Sequence, residues 1–477
     1  RQAEAAALVG EALARSDLPR WRNAGWRLRR AELLDGHGAA TAALRERRAA
    51  WRALELPDLA GEDAGWGDVL RATLALRRRR GWPPRGADGD AFGVLLALGT
   101  IHATNALTFL PEPAPMMRVG ALADAACRAA RLPPIVPRIG AAWGAASLGH
   151  PALARWQARA VIGPRTLPAM PTRRLAALVA AGRVGLRLAL GDWAGLAPEI
   201  DRVADDLHAL QAGRQEMEVR SLGAKLAFYE GRLAEAWERF AQMSELGLQR
   251  PGEAWRAWGP VGQCEAGLCL GGPDEALLQS LFDRASLLLT EMENVDAAYV
   301  LRRQGLAARQ AWRRGDAEAA LHAVRAGAAA AARTRLFGFW AHEGLAGLGD
   351  TLVALAARTR AAGAAGAPLP PAVEAPWSAL APALRAHVRR FPPGASLKAR
   401  IEGGMAVAAG RVEAGRGLLR RAVTLAERQD ARVDQARACE ALAAAEPDAG
   451  GPETPARRAA ALWQAMGVQA AAPLAGD

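Results

Sequence analysis

Lysine is almost absent: of 61 basic residues only Lys225 and Lys398 are Lys, and the others are Arg. Asparagine occurs at three positions and isoleucine at six. A chain poor in Lys, Asn and Ile but rich in Arg, Ala, Gly and Pro reflects a GC-rich coding sequence. The net charge of +12 is therefore partly codon bias. A nucleic-acid-binding face would gather basic residues on one side; here the Arg residues are spread along the whole chain, and nucleic acid is not an expected partner. Four cysteines in 477 residues exclude a disulfide-dense secreted scaffold and fit a reducing compartment. The start carries no apolar signal core and no small-residue cleavage site. A chain that opens Arg1-Gln2-Ala3-Glu4 within a helical pattern is expected to be a trimmed piece of a longer cytoplasmic protein.

Long hydrophobic runs are missing too. Residues 91–110 hold no Asp, Glu, Lys or Arg, but they contain His102, Asn105, three Thr and two Gly. A membrane span needs about 20 predominantly apolar residues, so a buried helix is expected here. The alternating β-branched runs of strands are also lacking. Long Ala- and Leu-rich segments, of high helix propensity, predict an all-α chain.

Short Gly-centred breaks separate these segments and recur. They fall at Gly191, Gly231, Gly272, Gly315 and Gly410, spaced 40, 41, 43 and 95, the last near two periods. A fixed period of this size with one turn per unit predicts stacked helical hairpins. Glycine suits these places because the first helix of a hairpin ends on a left-handed residue, which glycine adopts without steric cost. The acids that follow, in Pro273-Asp274-Glu275 and Asp316-Ala317-Glu318, suit the positive N-terminus of the next helix. Behind the breaks, Trp237, Phe240, Ala241, Ser244 and Leu248 form one expected apolar stripe, and Ala317, Ala320, Leu321, Val324 and Ala328 another. The predicted fold is a right-handed superhelical solenoid of tetratricopeptide-like hairpins with a repeat near 40 residues. Its expected blocks are N-terminal hairpins over 1–85, a central array over 86–362, an Ala/Gly/Pro-rich linker over 363–376 and C-terminal hairpins over 377–477.

No catalytic, cofactor or metal signature stands up. The chain has no Gly-x-x-x-x-Gly-Lys-Ser/Thr phosphate loop. Gly344, Gly347 and Gly349 lack dinucleotide spacing and are expected at a close helix crossing. His342-Glu343 lacks the second His of a zinc protease helix, and Cys264 and Cys269 have no partner pair for zinc. Asp201, Asp205 and Asp206 are in the wrong order for a diphosphate-binding motif and are expected on a solvated helix face. Ser147 lies in a stretch one residue too long for a nucleophile elbow. The Arg77 to Arg80 run is expected at a solvated turn. Most of the 15 Trp, among them Trp26, Trp51, Trp156, Trp193 and Trp340, are expected in core between hairpins. Trp255 and Trp258, beside Pro251 and Pro260, are candidates for a concave ligand surface.

Residues from Phe339 to Val468 resemble the C-terminal repeat region of a bacterial signalling family. The pieces that carry the resemblance are Trp340 to Asp350, Leu384 to Pro393, Gly403 to Glu427 and the closing Ala456 to Val468. Members of that family join a class III adenylate/guanylate cyclase domain, or a protein kinase domain, to a P-loop AAA-type ATPase and then to tetratricopeptide-like repeats. Met117 to Ala160 is similar more loosely, and the chain has only two Tyr where relatives are richer. The resemblance implies a non-catalytic region that binds a protein, a peptide or a small inducer and regulates the attached module. Alternatives are the inducer-binding arm of a transcriptional activator, a free-standing repeat scaffold and an all-α enzyme; the last would need convergent acids, and none stand at recognisable spacing.

Overall fold

The computed structural model describes residues 2–15, 17–36, 39–53, scattered positions from 65 to 74, 135–163, 170, 173–249, 253–271, 274–290, 297–333, 338–362, 369–447 and 454–468. Among these residues there is no strand. The described part of the chain is all-α and built of consecutive helical hairpins. Its first helices are α1 (Gln2–Arg15), α2 (Arg20–Gly36), α3 (Ala40–Ala53), α4 (Ile135–Ser147) and α5 (Pro151–Ile162). The hairpins then follow in order: α6 (Arg173–Leu190) with α7 (Leu196–Ala209), α8 (Gly213–Tyr229) with α9 (Leu233–Gln249), and α10 (Glu253–Leu270) with α11 (Glu275–Thr290). They continue as α12 (Ala297–Arg313) with α13 (Ala317–Arg333), α14 (His342–Ala362) with α15 (Pro371–Arg390), α16 (Ala395–Ala408) with α17 (Val412–Gln429), and α18 (Arg432–Ala445) with α19 (Pro455–Ala465).

The turns show why the hairpins form. Gly191, Gly231, Gly315 and Gly410 have φ of +84°, +79°, +77° and +84°, so each reverses the chain where a Cβ would be strained. Gly272 lies outside the described residues, and its neighbour Gly271 has φ +66°. Two further left-handed positions are not glycine, Gln211 at φ 52° and Asp430 at φ 54°. After two of the turns an aspartate caps the next helix: the Leu277 and Ala319 amides donate to Asp274 and Asp316 at 2.6 and 2.9 Å.

The chain forms two compact units. The first comprises residues 1–187, 198–220 and 249–252, and the second comprises 188–197, 221–248 and 253–477. In the first, Glu46 on α3 receives Arg27 and Arg30 of α2 at 3.1 and 2.6 Å, and Ala24, Leu28, Ala43 and Trp51 of the same two helices are buried. In the second, one apolar core runs from α12 to α16 through Leu301, Val324, Leu348, Leu352, Val373, Leu380, Leu384 and Ile401. Another joins α16 to α19 through Leu419, Ala422, Cys439 and Leu442.

Several expectations need correction. The expected linker over 363–376 is shorter at its end: α14 stops at Ala362, and α15 begins at Pro371, where a missing amide hydrogen costs nothing. The junction expected around residues 77–90 lies outside the described residues. Trp26 and Trp156 are not core residues; they are 49% and 60% exposed. Leu248 is also exposed, because α9 buries Leu233, Ala236, Phe240, Met243, Ser244 and Gly247, a face rotated away from the expected stripe.

Candidate functional site

The inner helices of the second unit, α8, α10, α12, α14, α16 and α18, converge on a buried charged hub. Lys225 on α8 donates to Glu265 Oε2 on α10 at 2.8 Å. Arg302 on α12 grips the same carboxylate with two parallel bonds of 2.6 Å, from Nε to Oε1 and from Nη2 to Oε2. Farther along α12, Arg309 donates to Glu343 at 3.3 Å and to Asp350 at 3.0 Å, both on α14. Arg400 of α16 also bonds Asp350, and Arg437 of α18 donates to both Glu343 oxygens at 3.3 and 3.2 Å. Each of these side chains is nearly fully buried.

Burial raises the cost of every charge, and the partners decide which charges survive it. Burial would push the Glu265 and Glu343 carboxyls up, but both lie below the usual range. Arg302 and Lys225 hold the first down, and Arg437 and Arg309 the second. Lys225 is the weak member: burial, and then the repulsion of Arg302, lower it to about 8 despite the Glu265 bond.

Beside the charges lies a polar and aromatic cluster. His342 Nε2 meets Asp434 Oδ2 at 3.1 Å and His342 Nδ1 meets His387 Nε2 at 3.2 Å, while Ser396 Oγ donates to Asp434 at 3.0 Å. Only one proton fits between the two rings. Burial first, and then His342, hold His387 well below the usual histidine range, so it is neutral. Tyr229, Phe339 and Phe391 wall this chain of bonds, and the Tyr229 hydroxyl donates to the Phe339 carbonyl at 3.1 Å.

Early and late turns of the second unit touch. Gln429 donates to the Gly191 carbonyl at 2.9 Å, and a Cβ on Gly231 would lie 2.5 Å from Met466 Sδ. Trp258 is 4% exposed, stacked on Tyr299 at 5.9 Å and tilted against Trp340 at 5.4 Å, so it packs within an aromatic group. The Trp255 side chain lies outside what is described. Gly344 and Gly347 sit where α12 and α14 cross: a Cβ on Gly344 would lie 2.6 Å from the Arg302 amide, and one on Gly347 would lie 2.6 Å from the Gly305 carbonyl. Cys264 is buried, with its thiol pushed up to about 12 by burial and then by Glu265. Asp205 and Asp206 are exposed on α7. Among the described residues no His, Cys, Asp and Glu group of three or more could hold a metal ion, and no helix is long and apolar enough to cross a membrane.

The hub escapes a motif search because its members are single charges on separate helices. A signal was nevertheless present: Lys225, Glu265, Arg302 and Glu343 alternate in sign at spacings of 40, 37 and 41 residues, the repeat period itself.

No family model matches this chain, and no curated protein does. Among solved structures it is similar to a circular tandem repeat protein with novel repeat topology and enhanced subunit contact surfaces. The identity is 12%, the match covers 94% of this chain and 98% of that one, and the TM-score is 0.19. At that score the fold rests on this chain's own helices and turns.

Proposed function

We propose that this chain is a non-catalytic helical-repeat region that engages a protein or peptide partner and regulates an attached cytoplasmic signalling module, a P-loop ATPase with a nucleotide cyclase or kinase domain. One observation supports the scaffold role within this reading. Charges on successive inner helices neutralise one another, Lys225 and Arg302 on Glu265, then Arg309 and Arg437 on Glu343. Buried ion pairs contribute little net stability but penalise any slip in register, because a slip strands a charge in the interior. The array is thereby stiffened, and binding on its outer layer can be felt along it. The attached module is carried by the resemblance of residues 339–468 alone.

The test of coupling uses the parent gene. A P-loop module encoded in frame upstream of Arg1 is the expected finding, and deleting residues 2–468 from that parent is expected to change its ATP turnover severalfold. Unchanged turnover overturns the regulatory reading, and a start codon directly before Arg1 leaves a free-standing repeat scaffold.

A further inference from the structure

The Arg residues are spread along the chain, but the acids are not. Residues 125–191 contain no Asp or Glu and ten Arg, so this stretch carries +10 of the net charge of +12. A GC-rich coding sequence raises Arg everywhere; it does not remove the acids from one stretch. Three of these arginines are neutralised from outside it: Arg183 and Arg187 by Glu199, at 3.1 and 2.5 Å, and Arg174 by Glu32 at 3.5 Å. Arg138 on α4, Arg155 and Arg159 on α5, and Arg173 at the start of α6 are exposed.

On α5 this charge surrounds an apolar face. The helix buries Ala154, Ala158 and Val161. At about 100° per residue, Trp156 points nearly opposite that buried face, with Arg155 and Arg159 on one flank and Leu153 on the other. Trp156 is 60% exposed and Leu153 45%. Single apolar residues scattered over a surface are ordinary. A Trp and a Leu on one outer face beside two Arg are not, least of all where α4, α5 and α6 contain no acid. The other exposed Trp among the described side chains, Trp26 on α2, differs: Glu46 and Glu32 already neutralise Arg27, Arg29 and Arg30 of that helix.

The chemistry of the face selects its occupant. Trp156 and Leu153 gain by leaving water for the boundary between lipid headgroups and acyl chains, and guanidiniums at the same level meet lipid phosphates. A nucleic acid would pair with the arginines and stack on Trp156, but it offers Leu153 no apolar contact.

We propose that α5 docks the chain onto an anionic lipid surface. The helix lies in the plane of the interface, with Trp156 and Leu153 among the headgroups and Arg155 and Arg159 on their phosphates. This docking is independent of the interaction reading above, and a parent whose ATP turnover ignores the repeat region leaves it standing.

The experiment floats the full chain with vesicles of phosphatidylcholine alone and with vesicles containing about 30% phosphatidylglycerol. Binding to the anionic vesicles is expected to be at least about tenfold stronger, and to weaken as salt is raised. Leu153→Gln with Trp156→Gln is expected to weaken it about tenfold, and Arg155→Glu with Arg159→Glu by at least as much. Leu277→Gln and Arg421→Glu, at exposed positions of the second unit, should leave it unchanged. Thermal melting of each variant checks that it is folded. Equal binding to both vesicles, no binding to either, or binding that the α5 variants do not alter overturns the proposal. Tighter binding of a labelled single-stranded oligonucleotide at the same salt, lost with the α5 variants, also overturns it and assigns the face to nucleic acid.

Discussion

The two layers of the second unit solve burial differently. The outer helices α9, α13 and α17 each bury one stripe, such as Ala320, Ala323, Val324, Gly327, Ala328 and Ala331 on α13, and keep their charges on the other face. Inner helices α14 and α16 are buried nearly all round, and the buried set includes His342, Glu343, Asp350 and Arg400. An outer helix therefore keeps its charges in water, where a pair is worth little. An inner helix must match each charge to one on a neighbour.

If the inner layer depends on matched charges, unmatching one should have the largest effect. Arg302→Met leaves Glu265 with Lys225 alone and is expected to cost about 3–5 kcal/mol in urea unfolding. A cost below about 1 kcal/mol would mean that the hub is solvated rather than buried. Gly344→Ala, which drives a Cβ into the α12 backbone, is expected to cost about 3 kcal/mol, read from the same denaturation curves.

The pH dependence sharpens the contrast further. His387 has a depressed native pKa, so below about pH 6.5 the unfolded chain takes up a proton that the native hub refuses. Stability should drop as the pH is lowered through that window, by up to about 1.4 kcal/mol per unit from this residue, and His387→Gln should flatten the slope. A second loss is expected below about pH 4, where the depressed Glu265, Glu343 and Asp434 would be protonated on unfolding. Melting temperatures across pH 3 to 8 distinguish the two phases.

Two smaller effects complete the series. Lys225→Met should change stability by less than about 1.5 kcal/mol, because Arg302 still grips Glu265 and the substitution removes a charge that burial already disfavours. Glu413→Ala on the outer α17, which loses only an exposed pair with Arg416, should fall within about 0.5 kcal/mol. A Glu413 cost above about 1 kcal/mol would mean that the division into layers is wrong.

Legibility followed the same division. On α13 the expected stripe of Ala320, Val324 and Ala328 is buried, because water on one side imposes a helical period on the sequence. On α14 and α16 no such period exists, since both faces are inside. His342 illustrates the result: read alone beside Glu343 it lacks a zinc partner, yet it joins His387 and Asp434, 45 and 92 residues away.

The sequence by itself determined what depends on local physics. Helix propensity, the Gly turns and a spacing near 40 residues specify hairpins, and hairpins that cannot bury their stripes alone must stack. Only the tertiary structure decided which charges face inward and which pairs cancel. It also decided that Trp258 packs against Tyr299 and Trp340. Those outcomes depend on distances between residues remote in the chain, and the energy of a charge or a carboxamide is set by what surrounds it rather than by its place in the sequence.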